Sequence, residues 1–184
     1  MRPDELAAHI AARRSNIFID DSSVVSDEQI EQLITAAQWA PNHKRTWPLR
    51  VAVVRGESRR ALGGVIADAM AERGDDEAKV EKTRTKYLRS PLVLVVASAS
   101  GGSVNETEEN KYAVAAGIQN LLLMAEAQQL AALWGSPAKG ANDSITQFCK
   151  MESSDHVLGI IYVGLPAKSA PAVERPTANI TYLD

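Results

Sequence analysis

Three short groups of residues carry the chemistry this sequence can do. Arg13, Arg14 and Ser15 stand together at the end of an opening helical pattern. Two guanidiniums beside a hydroxyl can hold a phosphate dianion bidentately, the geometry arginine suits best, while cations at a helix C-terminus also answer the helix dipole. His43, Lys44 and Arg45 lie with Trp47 in a loop bounded by Pro41 and Pro48. An aromatic and several donors on a proline-stiffened loop suit a flat, polar ring system with a phosphate tail; an ordinary surface loop has the same composition. Trp134, Gly135 and Ser136 sit where a short strand runs out, so that a backbone amide near Gly135 lets a planar ligand approach closely. Trp134 also reads as simple core.

Other routes to catalysis are missing from the pattern. No GxGxxG follows a strand, and the spacing from Gly135 to Gly140 begins like a phosphate loop but continues with Ala141 in place of lysine. No HExxH or GxSxG occurs, and His9, His43 and His156 are too far apart to suggest a metal. Cys149 is the single cysteine, which excludes an internal disulfide or a thiol cluster for zinc and reads as a small hydrophobe. A net charge of -3 and a pI near 5.7 argue against a surface built to coat nucleic-acid phosphates. Met1 to Ile10 has no leader-like apolar stretch, and Leu92–Ala97 is too short to cross a bilayer. A cytoplasmic protein without membrane or nucleic-acid partners is expected, in which the sequons at Asn105, Asn142 and Asn179 have no meaning.

The elements that must position these groups follow from periodicity. With 184 residues, 45% hydrophobic and 23% charged, the chain suits one domain over 1–184. Pro3 to Arg14 and Asp27 to Ala40 read as helices, the second capped by Ser26. Arg50–Arg55 reads as a central strand, and PLVLVVAS from Pro91 as a strand buried on both faces. Helical patterns cover Glu57–Arg73 and Glu77–Arg89; the second, dense with Lys79, Lys82, Arg84, Lys86 and Arg89, reads as a solvated face. Ala131–Trp134 and Val157–Val163 complete the strands, and Asn142 is placed to cap a short helix to Lys150. Residues 165–184, punctuated by Pro166, Pro171 and Pro176, form an extended arm closing in a β-like segment, Asn179–Leu183. The order of elements suits an α+β layer fold.

The chain is organised around the helix expected from Asn105 to about Leu130. Asn105 with Glu108 reads as its N-terminal cap, and almost every residue from Tyr112 to Ala127 is apolar. Such a helix is roughly 35 to 40 Å long, more than one subunit covers. Ala113, Ala116, Gly117 and Asn120 form a small-residue strip for close approach of another helix. A homodimer interface is expected here.

Arg13-Arg14-Ser15, the loop Ala40-Pro41-Asn42-His43-Lys44 leading through Pro48 into a strand, and the run Ala116–Ala125 with Leu130 and Trp134 beyond resemble the nitroreductase family of flavoenzymes, in particular its short branch with a Pro-x-His-Lys loop. The resemblance covers nearly the whole chain. It implies an α+β sandwich of a mostly antiparallel sheet with helices on both faces, a homodimer exchanging C-terminal arms, and one FMN at each of two interface sites. By the same resemblance Arg13, Arg14, Ser15 and Arg175 hold the phosphate and ribityl chain, His43 touches the flavin, and Trp134, Gly135 and Ser136 line its ring. Where the family often has Gln-Pro-Trp, this chain has Trp47-Pro48-Leu49, and Arg45 replaces a usual Asn, which puts Trp47 and Arg45 on the substrate side. The implied activity is ping-pong oxidoreduction, with NADH or NADPH as donor and a nitroaromatic, quinone or similar planar acceptor. Such chemistry belongs to the cofactor and needs no side-chain nucleophile. A family relative using FMN for dehalogenation or oxygen-dependent chemistry, and a non-catalytic dimeric interaction domain, are the alternatives.

Overall fold

Leu92–Ser98 is buried at all seven positions, as a strand covered on both faces must be. In the computed structural model, which describes residues 2–183, this strand lies inside a four-stranded antiparallel sheet. The strands are β1 (Leu49–Arg55), β2 (Leu92–Ser98), β3 (Ala131–Gly135) and β4 (His156–Gly164), in the order β1-β2-β4-β3. The run after the proline-bounded loop, expected as a central strand, is an edge strand. Among the described residues β1 pairs only with β2, and Val53 is 40% exposed where its neighbour Val54 is buried. β-Branched content marks a strand without fixing its place, and the exposed Arg50 and Arg55 suit an edge.

Helices cover both faces, as the resemblance implied. On one side α2 (Asp27–Gln38) and α5 (Val104–Ala127) pack Leu33, Ile118 and Leu121 against Leu94, Val96 and Ile161. On the other, α3 (Ser58–Glu72), α4 (Glu77–Thr85) and α6 (Asn142–Phe148) bring Leu62, Ile66, Val80 and Ile145 to Val93, Val95 and Ile160. Period-2 alternation along β2 serves two cores at once. α1 (Pro3–Ala12) buries no residue and rests on α5, where the His9 ring meets the Leu123 carbonyl at 2.9 Å. No helix among the described residues is long and apolar enough to cross a membrane.

Three local expectations shift. The cap of α5 is Ser103, whose hydroxyl accepts from the Glu106 amide at 3.2 Å, while Asn105 lies inside the helix. Two overlapping cap spacings compete there, and the earlier wins because Glu106 also accepts the Gly102 N–H at 3.0 Å. Asn142 opens α6 without capping it. Its amide donates to the Asp155 carbonyl at 3.0 Å and its oxygen accepts the Val157 N–H at 2.9 Å, tying α6 to β4. Beyond β4, Asn179–Leu183 is irregular rather than β-like and pairs with no strand among the described residues. Ile180, Tyr182 and Leu183 are 61%, 83% and 92% exposed.

α5 is covered on most of its circumference by α2 and the sheet. Gly117 meets α2 of its own chain, where an added Cβ would come 2.7 Å from the Ala37 carbonyl. Tyr112, Ala116 and Gln119, at spacings of four and three, remain an exposed stripe.

Candidate active site

The amide of Asn16 donates to the Ala132 carbonyl at 3.0 Å, which lays the end of α1 along the free edge of β3. Arg13, Arg14 and Ser15 therefore arrive beside the strand that ends in Trp134, Gly135 and Ser136. Two of the three sequence motifs share one edge. Within the first, the arginines differ. Arg14 turns its guanidinium back onto the carbonyls of Ala11 and Arg13, capping its own helix. Arg13, half-buried, and the exposed Ser15 hydroxyl have no side-chain partner among the described residues, so they are the groups available to a phosphate.

Trp134 is 38% exposed, and its indole Nε1 donates to the Leu158 carbonyl at 3.0 Å. Gly159 makes room for it: a Cβ there would meet the indole nitrogen at 2.3 Å. Gly135 is less tightly placed, its Cβ position 3.2 Å from the Tyr162 ring. Tyr162 stacks on Tyr87 with centroids 5.8 Å apart, and the Arg89 guanidinium lies 4.0 Å over the Tyr162 ring. Burial raises both phenols above the ordinary tyrosine range, with Arg89 acting in the opposite sense.

From Ser136 opens a cleft of about 460 Å³ whose other wall is α4 and the 3-10 turn Lys86–Arg89, a size typical of small-molecule sites. Lys79, Lys82 and Lys86, at spacings of three and four, present one face to it, joined by Arg89 and Lys139. The charge run expected as a solvated face thus walls a cleft. Glu81 is drawn to the other side by Arg84, which also holds Asp68 at 2.8 Å. Burial, then Arg89 and Lys82, lower the pKa of the half-buried Lys86.

His43, Arg45 and Trp47 are brought near one another but not near β3. All three are exposed, on a loop clipped by Asn42: its amide donates to Thr46 Oγ1 at 2.9 Å, and its oxygen accepts the Trp47 N–H at 2.9 Å. Thr46 in turn donates to the buried Asn110 of α5 at 2.5 Å. Lys44, Arg45 and Trp47 hold positive φ of 58°, 55° and 50°, a strain the clip maintains. Beside the loop, Trp47, Pro48, Ala113 and Val114 help line an apolar cleft of about 300 Å³. The loop precedes Leu49 at one end of β1, whereas Gly135 is level with Ile160, Val95 and Ala52 in mid-sheet. They stand on opposite edges, three strand spacings or at least about 14 Å apart. One chain does not join them. Arg175 is exposed on the arm, beyond Lys168, whose carbonyl accepts from the Asn16 side chain.

Sequence reasoning missed the lysine face of α4 and the turn after it, for which the spacing of Lys79, Lys82 and Lys86 was the signal, and Asn42, Thr46 and Asn110, for which nothing in one sequence was. Cys149 behaves as expected of an inert thiol, half-buried and pushed up to about 11 by burial.

Comparison with known proteins bears on what such a site is. Residues 10–165 match the family described as Nitroreductase family. YdjA of Escherichia coli K12, which carries the provisional name NAD(P)H nitroreductase, is 26% identical over 159 residues, covering 84% of this chain and 87% of its own. The nitroreductase-like family protein of Bacillus cereus is 27% identical, with a TM-score of 0.76 over 94% of this chain and 91% of its own. A Bacteroides fragilis nitroreductase with bound FMN shares the fold at 19% identity, TM-score 0.77, over 98% and 99% of the two chains. With the α+β architecture, the order of motifs and a match over most of its length, the chain belongs to the nitroreductase family.

Proposed function

We propose that the protein is an FMN-dependent NAD(P)H oxidoreductase acting on nitroaromatic, quinone or similar planar acceptors, and that it works as a homodimer. The observation that carries this reading is the Asn16–Ala132 hydrogen bond, which sets Arg13 and Ser15, a guanidinium and a hydroxyl without side-chain partners among the described residues, beside the strand that leads to Trp134, Gly135 and Ser136, the last of which lines a cationic cleft. The donor set fits FMN. Arg13 and Ser15, with Arg14 completing the turn that carries them, would hold the phosphate. Trp134, Gly135 and Ser136 would lie along the ring, and Lys86 is the cation available to negative charge that collects on it. Bound FMN supplies hydride acceptance and donation; the protein supplies orientation, exclusion of water and charge.

Completion of the site needs a second chain. The loop carrying His43, Arg45 and Trp47 is clipped by Asn42 and leads into the sheet edge opposite its own β3, so in this reading it closes over the site of a partner. The exposed stripe Tyr112, Ala116 and Gln119 on α5 provides a face for that partner, and the exposed arm, with Arg175, provides a strap that reaches across it. Trp47 and Arg45 would then border the acceptor.

The test is direct. Purified protein should absorb in the visible range as bound flavin does and oxidise NAD(P)H with a planar acceptor. Arg13→Ala should weaken FMN retention by about 10- to 100-fold, since one charged hydrogen-bonding partner is worth about 1.5 to 3 kcal/mol. Colourless protein that takes up no added FMN would overturn the assignment.

A further inference from the structure

Lys79, Lys82 and Lys86 form a ladder about 10 Å long on one helical face, opposite Lys139 and next to Arg89. Among the described residues none of these five cations has a carboxylate within ion-pair distance. The acids nearby are already committed: Glu81 to Arg84, and Asp75 at the rim to Arg73. Arg89 is held by the Tyr162 ring rather than by an acid, which fixes its guanidinium in advance of any ligand. Like charges gathered around one concavity whose lining carboxylate, Asp75, is already paired with Arg73 raise the free energy of the empty cleft, and an anion entering it lowers that cost. Lys86 already registers the repulsion, its pKa lowered by burial and by Arg89 and Lys82.

We propose that this cleft is a site for phosphoryl groups, in which Lys79 and Lys82 bind the phosphates of the dinucleotide hydride donor and favour NADPH over NADH. A ladder of that length spans more than a single phosphate, and its density suits a donor carrying a pyrophosphate together with a further phosphate dianion. An acceptor bearing one carboxylate would satisfy only one rung. The cleft opens from Ser136, so a donor anchored on α4 has its redox end directed toward the β3 edge. The identity of the phosphate-bearing molecule rests on the flavin reading above; the anion site itself does not. Lys79 and Lys82 are exposed, farther along the helix than Lys86 from the turn at Arg89, and are specificity residues rather than part of the flavin's grip.

The test compares wild-type protein with Lys79→Gln/Lys82→Gln and with a charge-matched control, Arg60→Gln/Lys150→Gln, remote from the cleft. In calorimetric titration with inorganic pyrophosphate the wild type and control should bind with affinity that falls as salt rises, and the cleft variant should bind at least 10-fold more weakly. In anaerobic flavin reduction the same variant should raise the apparent Kd for NADPH at least 10-fold and that for NADH by a smaller factor. The limiting rate and the FMN Kd should stay unchanged. Absent pyrophosphate binding, or equal binding by the cleft variant, overturns the site. Equal losses for NADPH and NADH overturn the preference, and a parallel loss of FMN affinity assigns the lysines to the flavin instead. Should the protein bind pyrophosphate as expected yet hold no flavin, the cofactor reading fails and the anion site stands.

Discussion

Gly117 of α5 lies directly against the carbonyl of Ala37 in α2, so close that a methyl group on Gly117 would stand 2.7 Å from that oxygen. Replacing a mid-helix glycine by alanine ordinarily gains about 1 kcal/mol of helix propensity. Here the obstacle is backbone, which cannot swing aside as a side-chain tip does, and overpacking costs about 1 to 3 kcal/mol or more. Gly117→Ala should therefore lower Tm, by up to about 8 °C for a net loss of up to about 2 kcal/mol. A raised Tm in thermal denaturation would show that the two helices can part freely.

That contact also marks how far the sequence could be followed. The strip of small residues announced close helix packing, and packing is there, but at Gly117 the neighbour is α2 of the same chain. Periodicity names a buried face without naming what buries it. The same limit put β1 in the middle of the sheet, because β-branched residues serve an edge strand as well as a central one. Arg13 to Ser15 and Trp134 to Ser136 were legible as donors at element ends, and the Asn16 to Ala132 hydrogen bond that joins them is a long-range fact no local pattern encodes. The lysines of α4 looked like a solvated face because a helix facing a wet cleft and one facing bulk water have the same composition.

Asn110 is 2% exposed and serves two masters, accepting from Thr46 at 2.5 Å and donating to the Ala99 carbonyl at 3.2 Å. Through Thr46 and Asn42 it holds the loop of His43, Arg45 and Trp47 in its left-handed conformation. Asn110→Ala should cost about 1 to 3 kcal/mol, the penalty for buried partners left unpaired. Limited trypsin digestion should then cut at Lys44 or Arg45 faster than in the wild type. Unchanged cleavage would mean that the two prolines alone stiffen the loop.

Lys86 gives a pH signature. Burial first, then Arg89 and Lys82, lower its pKa, so between that lowered value and the ordinary lysine pKa of about 10.4 the folded chain binds fewer protons than the unfolded one. Stability of the ligand-free protein should rise with pH through this window. Lys86→Met keeps the stem's packing and removes the charge. It should raise Tm at pH 7 by about 1 to 3 °C, flatten the alkaline rise, and weaken binding of FMN. A lower Tm at neutral pH would show that the ammonium is already well solvated or paired.

The separation of the two sheet edges makes a prediction about mixed dimers. If each flavin site takes Arg13, Ser15 and Trp134 from one chain and the His43 loop from the other, then an Arg13→Ala subunit and a loop variant such as His43→Ala/Trp47→Ala fail in different halves. Each homodimer carries two damaged sites. In a heterodimer of the two, one site receives both lesions and the other receives neither. Co-expression with distinct affinity tags should therefore yield heterodimers holding about one tightly bound FMN per dimer, with the affinity of the wild type, while both parent homodimers hold flavin weakly. If instead every site were built within one chain, each site of the heterodimer would carry one lesion and no tight flavin would return. The count of flavin per heterodimer, read from absorbance against protein, decides between the two, and it does so whether or not the acceptor is known.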